Sequence, residues 1–185
     1  MDKGADSYRR FLAGDTDALT EIVTMYRAGL EYYILGIVHD RTLAEDLTQE
    51  TFIRLCMKKP RDKGAGAFKT WLYTIGRNLA LDSLRKSAKN RSISTEEQFL
   101  CAEDPATPDT TLLRAERLQS VRHAMALLEP QYRQILYLVY FEEFSIAETA
   151  KILRKSAHNT SAQLYRAKAA LKAAMEKEAS FNENE

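Results

Sequence analysis

LAEDLTQETFIRLCM (43–57), KKPRDKGAGA (58–67) and FKTWLYTIGRNLALDSLRKSAKNR (68–91) form the stretch on which the fold turns. At 100° per residue, Leu43, Ala44, Leu47, Thr51, Phe52 and Leu55 gather on one side of the first segment, the stripe of a core-facing helix. The other side carries Asp46, Gln49 and Ile53, flanked by Glu50 and Met57. A merely solvated face seldom includes an isoleucine and a methionine. An acidic rim around an apolar centre suits the docking of a basic partner. The second segment breaks at Pro60, Gly64 and Gly66 and resumes as a helix expected over 68–86. Between Lys58 and Arg91, ten Lys and Arg stand against Asp62 and Asp82, a local net charge of +8 in a chain whose total is +1. Phe68, Trp71 and Tyr73 lie inside this run. Cations to neutralise phosphate, with rings for bases to stack on, make a surface for single-stranded nucleic acid.

Outward from this pair, the rest of the chain is helical in pattern and the fold class is all-α. Ser7 to Ala13 reads as a short helix closed by Gly14, and Asp15 or Thr16 caps a long helix reaching about Val38. His39-Asp40-Arg41 is a turn. Residues 1–91 form a compact helical bundle. Residues 92–111, with Pro105, Pro108 and a run of acids, serines and threonines, form a flexible acidic linker that also carries the large apolar residues Phe99 and Leu100. Residues 112–185 form a small four-helix domain. Leu118, Val121, Met125 and Leu128 mark its first helix, and Pro130 opens a second that reaches about Phe141. SIAE (145–148) is a capping box opening a third helix that ends near Leu153. After a turn at Arg154–Ala157, a last helix runs from about His158 to Lys177.

Two helices joined by so short a turn are a helix-turn-helix. Lys151 to Lys172 holds six basic residues and no acid. His158, Asn159, Ser161, Ala162 and Arg166 lie opposite the inner stripe of the last helix, placed to reach base edges. Arg154, Lys155 and Lys168 are placed to hold phosphates.

Composition excludes several classes. No apolar run approaches a membrane span, so no membrane insertion is expected. The N-terminus has no apolar signal core, which points to the cytoplasm. Cys56 and Cys101, with His39, His123 and His158, make no metal-ligand spacing. With no carboxylate cluster, phosphate-cradling glycine motif or nucleophile–base pair, the chain does not read as an enzyme, and no cofactor is expected.

The order of parts resembles the extracytoplasmic-function (ECF) RNA polymerase sigma factors. The resemblance is carried by FLAGDTDAL (11–19), AEDLTQETFIRL (44–55), FKTWLYTIGRNLALDSLR (68–85), LEPQYRQILYL (128–138) and the span 145–171. It implies that residues 1–91 are sigma region 2 and residues 112–185 sigma region 4. Asp46, Gln49, Glu50 and Ile53 would dock on the clamp coiled coil of the largest subunit of core RNA polymerase, and region 4 would meet the flap. Lys63, Phe68, Lys69, Trp71, Tyr73, Arg77, Asn78 and Arg85 would engage the melted minus-ten strand of promoter DNA, with Asn78 on the helix that takes up a flipped base. The last helix would read the minus-thirty-five duplex. An anti-sigma factor is a further partner that many relatives have. The turn departs from the family pattern: Leu-Gly-Ile is replaced by Leu153-Arg154-Lys155, and the reading run is His158 to Gln163. A freestanding helix-turn-helix regulator is the competing reading, and the acidic face at 46–53 discriminates against it.

Overall fold

The computed structural model describes residues 3–58, 67–90, 121 and 123–182. Every regular element among them is helical: α1 (Lys3–Leu12), α2 (Asp17–Val38), α3 (Arg41–Lys58), α4 (Ala67–Asn90), α5 (Pro130–Leu136), a π-helical turn (Tyr137–Phe141), α6 (Ile146–Leu153) and α7 (Ala157–Asn182). The expected linker 92–111 lies outside the described residues. So does most of the first helix of the C-terminal part, which is helical where it is described, at 121 and 123–126.

The boundaries follow local chemistry. Gly14, at φ +105°, ends the turn after α1, a conformation that side chains resist. The Asp15 carboxylate then accepts from the backbone of Asp17 at 3.1 Å, satisfying an orphan donor at the start of α2. Asp40 does the same for α3, accepting from the Leu43 N–H at 2.9 Å. His39, left-handed at φ 58°, closes α2 by donating its N–H to the Leu35 carbonyl. Ser145 and Glu148 form the expected capping box of α6: the Ser145 hydroxyl accepts from the Glu148 N–H, and the Glu148 carboxylate accepts from the Ser145 N–H at 2.9 Å.

Helix α2 is the spine of the N-terminal bundle and packs on α1, α3 and α4. Ile22, Leu30, Ile34, Leu55 and Leu72 are fully buried around it. Each contributes roughly 1.5–3 kcal/mol of burial. Two threonines of α3, Thr48 and Thr51, join this core because their hydroxyls donate to the Ala44 and Leu47 carbonyls at 2.7 Å, leaving only methyls to pack. Gly76 lets α4 approach closely. A Cβ there would stand 2.9 Å from Leu30 Cδ1 and 3.2 Å from Ile34 Cδ1.

In the C-terminal part, α5 and α6 pack on α7 and bury Ile135, Leu138, Ile152, Leu153, Leu164 and Ala167. The helix opened by Pro130 reaches Phe141 as expected, but its last five residues widen into a π turn, and Glu143 beyond it is left-handed at φ 56°. Such turns collect where a chain must aim side chains off the α-helical register. Here the turn aims Tyr137, Glu142 and Phe144 at the N-terminal bundle. The Tyr137 hydroxyl donates to the Gly29 carbonyl at 3.1 Å, and its ring stacks on Tyr32 at 5.0 Å. The two helical parts pack together, α5 against α2 and α6 against α4.

Candidate polymerase-docking and nucleic-acid surfaces

The outer face of α3 stands where its pattern places it. Asp46 and Gln49 are exposed, Ile53 is 51% exposed and Met57 78%. These apolar side chains sit at i, i+4 spacing beside the acids, on a helix whose opposite stripe (Ala44, Thr48, Thr51, Phe52, Leu55) is buried. Glu50 is held by Arg54 of the next turn at 2.8 Å, with both side chains well exposed. An exposed i, i+4 pair of this kind contributes only about 0.3–0.5 kcal/mol, so Glu50 can change partner cheaply.

The eight residues expected on single-stranded DNA are not gathered on one surface. Lys63 lies outside the described residues. Phe68 is buried, stacked on Tyr8 at 4.8 Å, and Trp71 is half-buried beside the same tyrosine. Tyr73, expected as a ring for a base to stack on, is instead fully buried: Phe144 meets its ring edge-on at 5.1 Å. Burial and the neighbouring Glu142 carboxylate push its phenol well above the ordinary tyrosine range. Neither Phe68 nor Tyr73 offers a ring to a base in this arrangement, because each closes a packing contact that sequence spacing does not reveal. Lys69 is committed as well. Its Nζ lies 2.9 Å from the Glu142 carboxylate, donates to the Glu142 carbonyl at 2.7 Å and stands 4.7 Å from the Phe144 ring centre.

Arg77, Asn78 and Arg85 do come together. They line a cleft of about 400 Å3 with Leu81 and Asp82, lined on its far side by Leu153 and Arg154 of the helix-turn-helix. Arg85 pairs with Asp82 at 3.0 Å on the exposed end of α4. Arg77 sits deeper, beside the Tyr33 phenol, which burial drives above the usual range and Arg77 partly offsets. Three guanidiniums and one carboxamide facing one opening make a strongly anion-seeking surface.

The helix-turn-helix is built as expected. Arg154 is the left-handed residue that ends α6, at φ 54°, and α7 starts at Ala157. Thr160, Gln163, Leu164 and Ala167 are buried, which turns His158, Asn159, Ser161, Ala162 and Arg166 to solvent. Arg154, Lys155 and Lys168 are exposed too. Lys155 is steered by the Gln163 amide oxygen at 2.6 Å, and Gln163 in turn donates to the Gln131 carbonyl at 2.8 Å, tying the turn to α5. Lys168 lies over the Tyr140 ring at 5.4 Å. Tyr165 was not singled out by the sequence reading. It is 78% exposed, one turn beyond Ser161 on the same face. Its helical phase was the available signal.

Among the described residues the protein is all-helical, with a helix-turn-helix, a basic helix and a separate helix whose outer face is acidic and apolar. Residues 22–90 match the Sigma-70 region 2 family and residues 118–171 the Sigma-70, region 4 family. SigM of Bacillus subtilis, an ECF RNA polymerase sigma factor, is 30% identical over 155 residues, which cover 84% of this chain and 93% of SigM. BldN of Streptomyces coelicolor, also an ECF sigma factor, is 30% identical over 164 residues, and the matched part spans 60% of that longer protein. Among solved structures, the sigma factor RpoE of Bartonella quintana, crystallised with the anti-sigma factor NepR, shares the fold with a TM-score of 0.68 over 85% of this chain and 96% of RpoE, at 21% identity. The chain belongs to the ECF RNA polymerase sigma factors. Among the described residues, no helix is long and apolar enough to cross a membrane.

Proposed function

We propose that residues 1–91 dock this sigma factor on core RNA polymerase and engage the melted promoter strand, while residues 112–185 read the upstream duplex. Asp46, Gln49, Glu50 and Ile53 meet the clamp coiled coil of the largest subunit, and the C-terminal part meets the flap. Ile53 supplies the apolar centre and the acids set the orientation. Arg77, Asn78 and Arg85 hold the strand, Asn78 taking a displaced base while the guanidiniums neutralise phosphate. The Lys63 loop extends that field, and Trp71 supports α4 from the α1 side. On α7, His158, Asn159, Ser161, Ala162 and Arg166 read base edges, with Arg154, Lys155 and Lys168 on phosphates.

The protein itself performs no chemistry, since nucleotide addition belongs to the polymerase, and it works in the cytoplasm where that enzyme is. An anti-sigma factor is a fitting regulator, as a structural relative was solved with one. The observation that carries the reading is the division of labour between adjacent helices: α3 turns an acidic and apolar face outward, and α4 a basic one. Run-off transcription with purified core polymerase on a library of random upstream sequences tests it. Specific start sites are expected only when the chain is added. Transcripts identical to those of core polymerase alone would overturn it.

A further inference from the structure

The cleft lined by α4 and the helix-turn-helix holds two kinds of chemistry, cationic and apolar, around one space. Asn78, Leu81, Asp82 and Arg85 recur at three, four and seven along α4 and so share a face, with Arg77 at its edge. Leu153 and Arg154 stand across from them. Arg154 is there because α6 ends on it, left-handed at φ 54°, its N–H donated to the Lys151 carbonyl at 3.3 Å. Three guanidiniums against one carboxylate leave a charge of +2. Among the described residues, Arg85 alone of the three is in an ion pair, with Asp82 at 3.0 Å. That pair is 75% and 55% exposed, so an anion displaces it cheaply. Between the charges the walls are apolar, Leu153 buried and Leu81 half-buried. The volume of about 400 Å3 falls within the range of small-molecule sites. Arg77 and Arg85, eight residues apart, are separated by about 12 Å along the helix axis, a longer reach than a lone phosphate fills.

We propose that this cleft is a binding site for a free nucleoside di- or polyphosphate. The phosphates lie among Arg77, Arg85 and Arg154, whose forked N–H groups match pairs of phosphate oxygens. The base lies against Leu81 and Leu153 with its edge on the Asn78 carboxamide. Adenine suits that group best, because its N6 and N7 take both hydrogen bonds of an asparagine. A phosphate without a base leaves the leucines and the carboxamide unused, and a nucleoside without phosphate leaves the guanidiniums unused. An occupied cleft withholds Arg77, Asn78 and Arg85 from the promoter strand, a consequence that rests on the assignment of α4 to single-stranded DNA. The nucleotide site itself does not depend on that assignment.

The test reads the anisotropy of ADP carrying a fluorescent label on its ribose, titrated with the full chain at low salt. Unlabelled ADP, adenosine and inorganic pyrophosphate serve as competitors. Wild type is expected to bind saturably and to release the label to ADP at concentrations where neither fragment competes. Arg85→Gln and Arg154→Gln each remove one exposed guanidinium and are expected to weaken binding about tenfold, the worth of one charge-assisted hydrogen bond. Arg27→Gln removes the same group from the exposed side of α2, outside the cleft, and is expected to leave binding within about twofold of wild type. No saturable binding, or a loss in Arg27→Gln equal to that in Arg154→Gln, would overturn the site. Pyrophosphate competing as well as ADP would overturn its assignment to a nucleotide. A fluorescein-labelled oligothymidine, bound to the same chain, separates this proposal from the strand assignment. If the oligothymidine binds and ADP does not, the nucleotide site is refuted and α4 remains a strand-binding helix. If ADP binds through Arg85 and Arg154 and unlabelled oligothymidine fails to displace it, the nucleotide site stands and the strand assignment is refuted.

Discussion

Reversing charge at Asp46 and Glu50 together separates docking from folding with little ambiguity. Both face outward from α3, and Glu50 pairs with Arg54 at 2.8 Å, with both side chains about two-fifths exposed. Losing that pair costs about 0.3–0.5 kcal/mol, and exposed substitutions elsewhere stay within about 0.5 kcal/mol. Asp46→Lys with Glu50→Lys is therefore expected to lower stability by no more than about 1 kcal/mol. Against a basic partner the same change replaces two attractions with two repulsions, and close charge pairs across interfaces couple by roughly 1.5 kcal/mol or more each. The combined loss is at least about 3 kcal/mol, more than a hundredfold in affinity for core polymerase. Titration of labelled chain with core polymerase measures the affinity, and urea unfolding of the same samples measures the stability. Wild-type affinity in the double variant, with its fold intact, would remove this face from the docking surface. Ile53→Ala is the apolar counterpart. About half of this side chain is still open to solvent, so docking can bury the remainder for roughly 1 kcal/mol, and a fivefold loss of affinity is expected.

Other consequences are local. Arg166→Ala on the exposed face of α7 is expected to weaken holoenzyme binding to duplex promoter DNA by about 1–3 kcal/mol, with relaxed preference at one base position if the contact is to a base edge; competition binding reads both. Gly76→Val, with its Cβ 2.9 Å from Leu30 Cδ1, is expected to cost about 1–3 kcal/mol in urea unfolding through overpacking of α4 on α2. His39 is held below its ordinary value of 6.5, by burial first and by Arg133 second. Above pH 6.5 the imidazole is neutral in both folded and unfolded chains and contributes no pH dependence. Below it the unfolded chain takes up the proton first, so stability falls as pH drops. His39→Asn, which tolerates the left-handed backbone there, is expected to reduce the slope of stability from pH 6.5 to about 5, and an unchanged slope would acquit His39.

The helices were legible because their signals are local. Apolar residues at three and four, Gly14, Asp15, Asp40, Pro130 and the Ser145–Glu148 box each act within a few residues of themselves, and the structure places a helix boundary at every one of them. The acidic face of α3 was legible for the same reason, since helical phase alone decides which side Asp46 and Ile53 occupy. Lys69 and Tyr73 were not. Lys69 reads as one more cation in a basic run, but its partner Glu142 lies 73 residues away. Tyr73 reads as a ring within the basic run, but Phe144 covers it. The π turn that aims these groups leaves no mark on a pattern of apolar residues, because Tyr137–Phe141 is apolar on every side. Net charge on a segment thus marks a basic helix without identifying which of its cations are already paired.

The division of labour between α3 and α4 is tested most directly by photo-crosslinking within one transcribing complex. A photoreactive residue is placed at Gln49 in one chain and at Asn78 in another, and each is irradiated on core polymerase with melted promoter DNA. The Gln49 probe is expected to capture the largest polymerase subunit and no DNA, and the Asn78 probe to capture the single strand. Capture of DNA from Gln49, or of polymerase but never DNA from Asn78, would contradict the account.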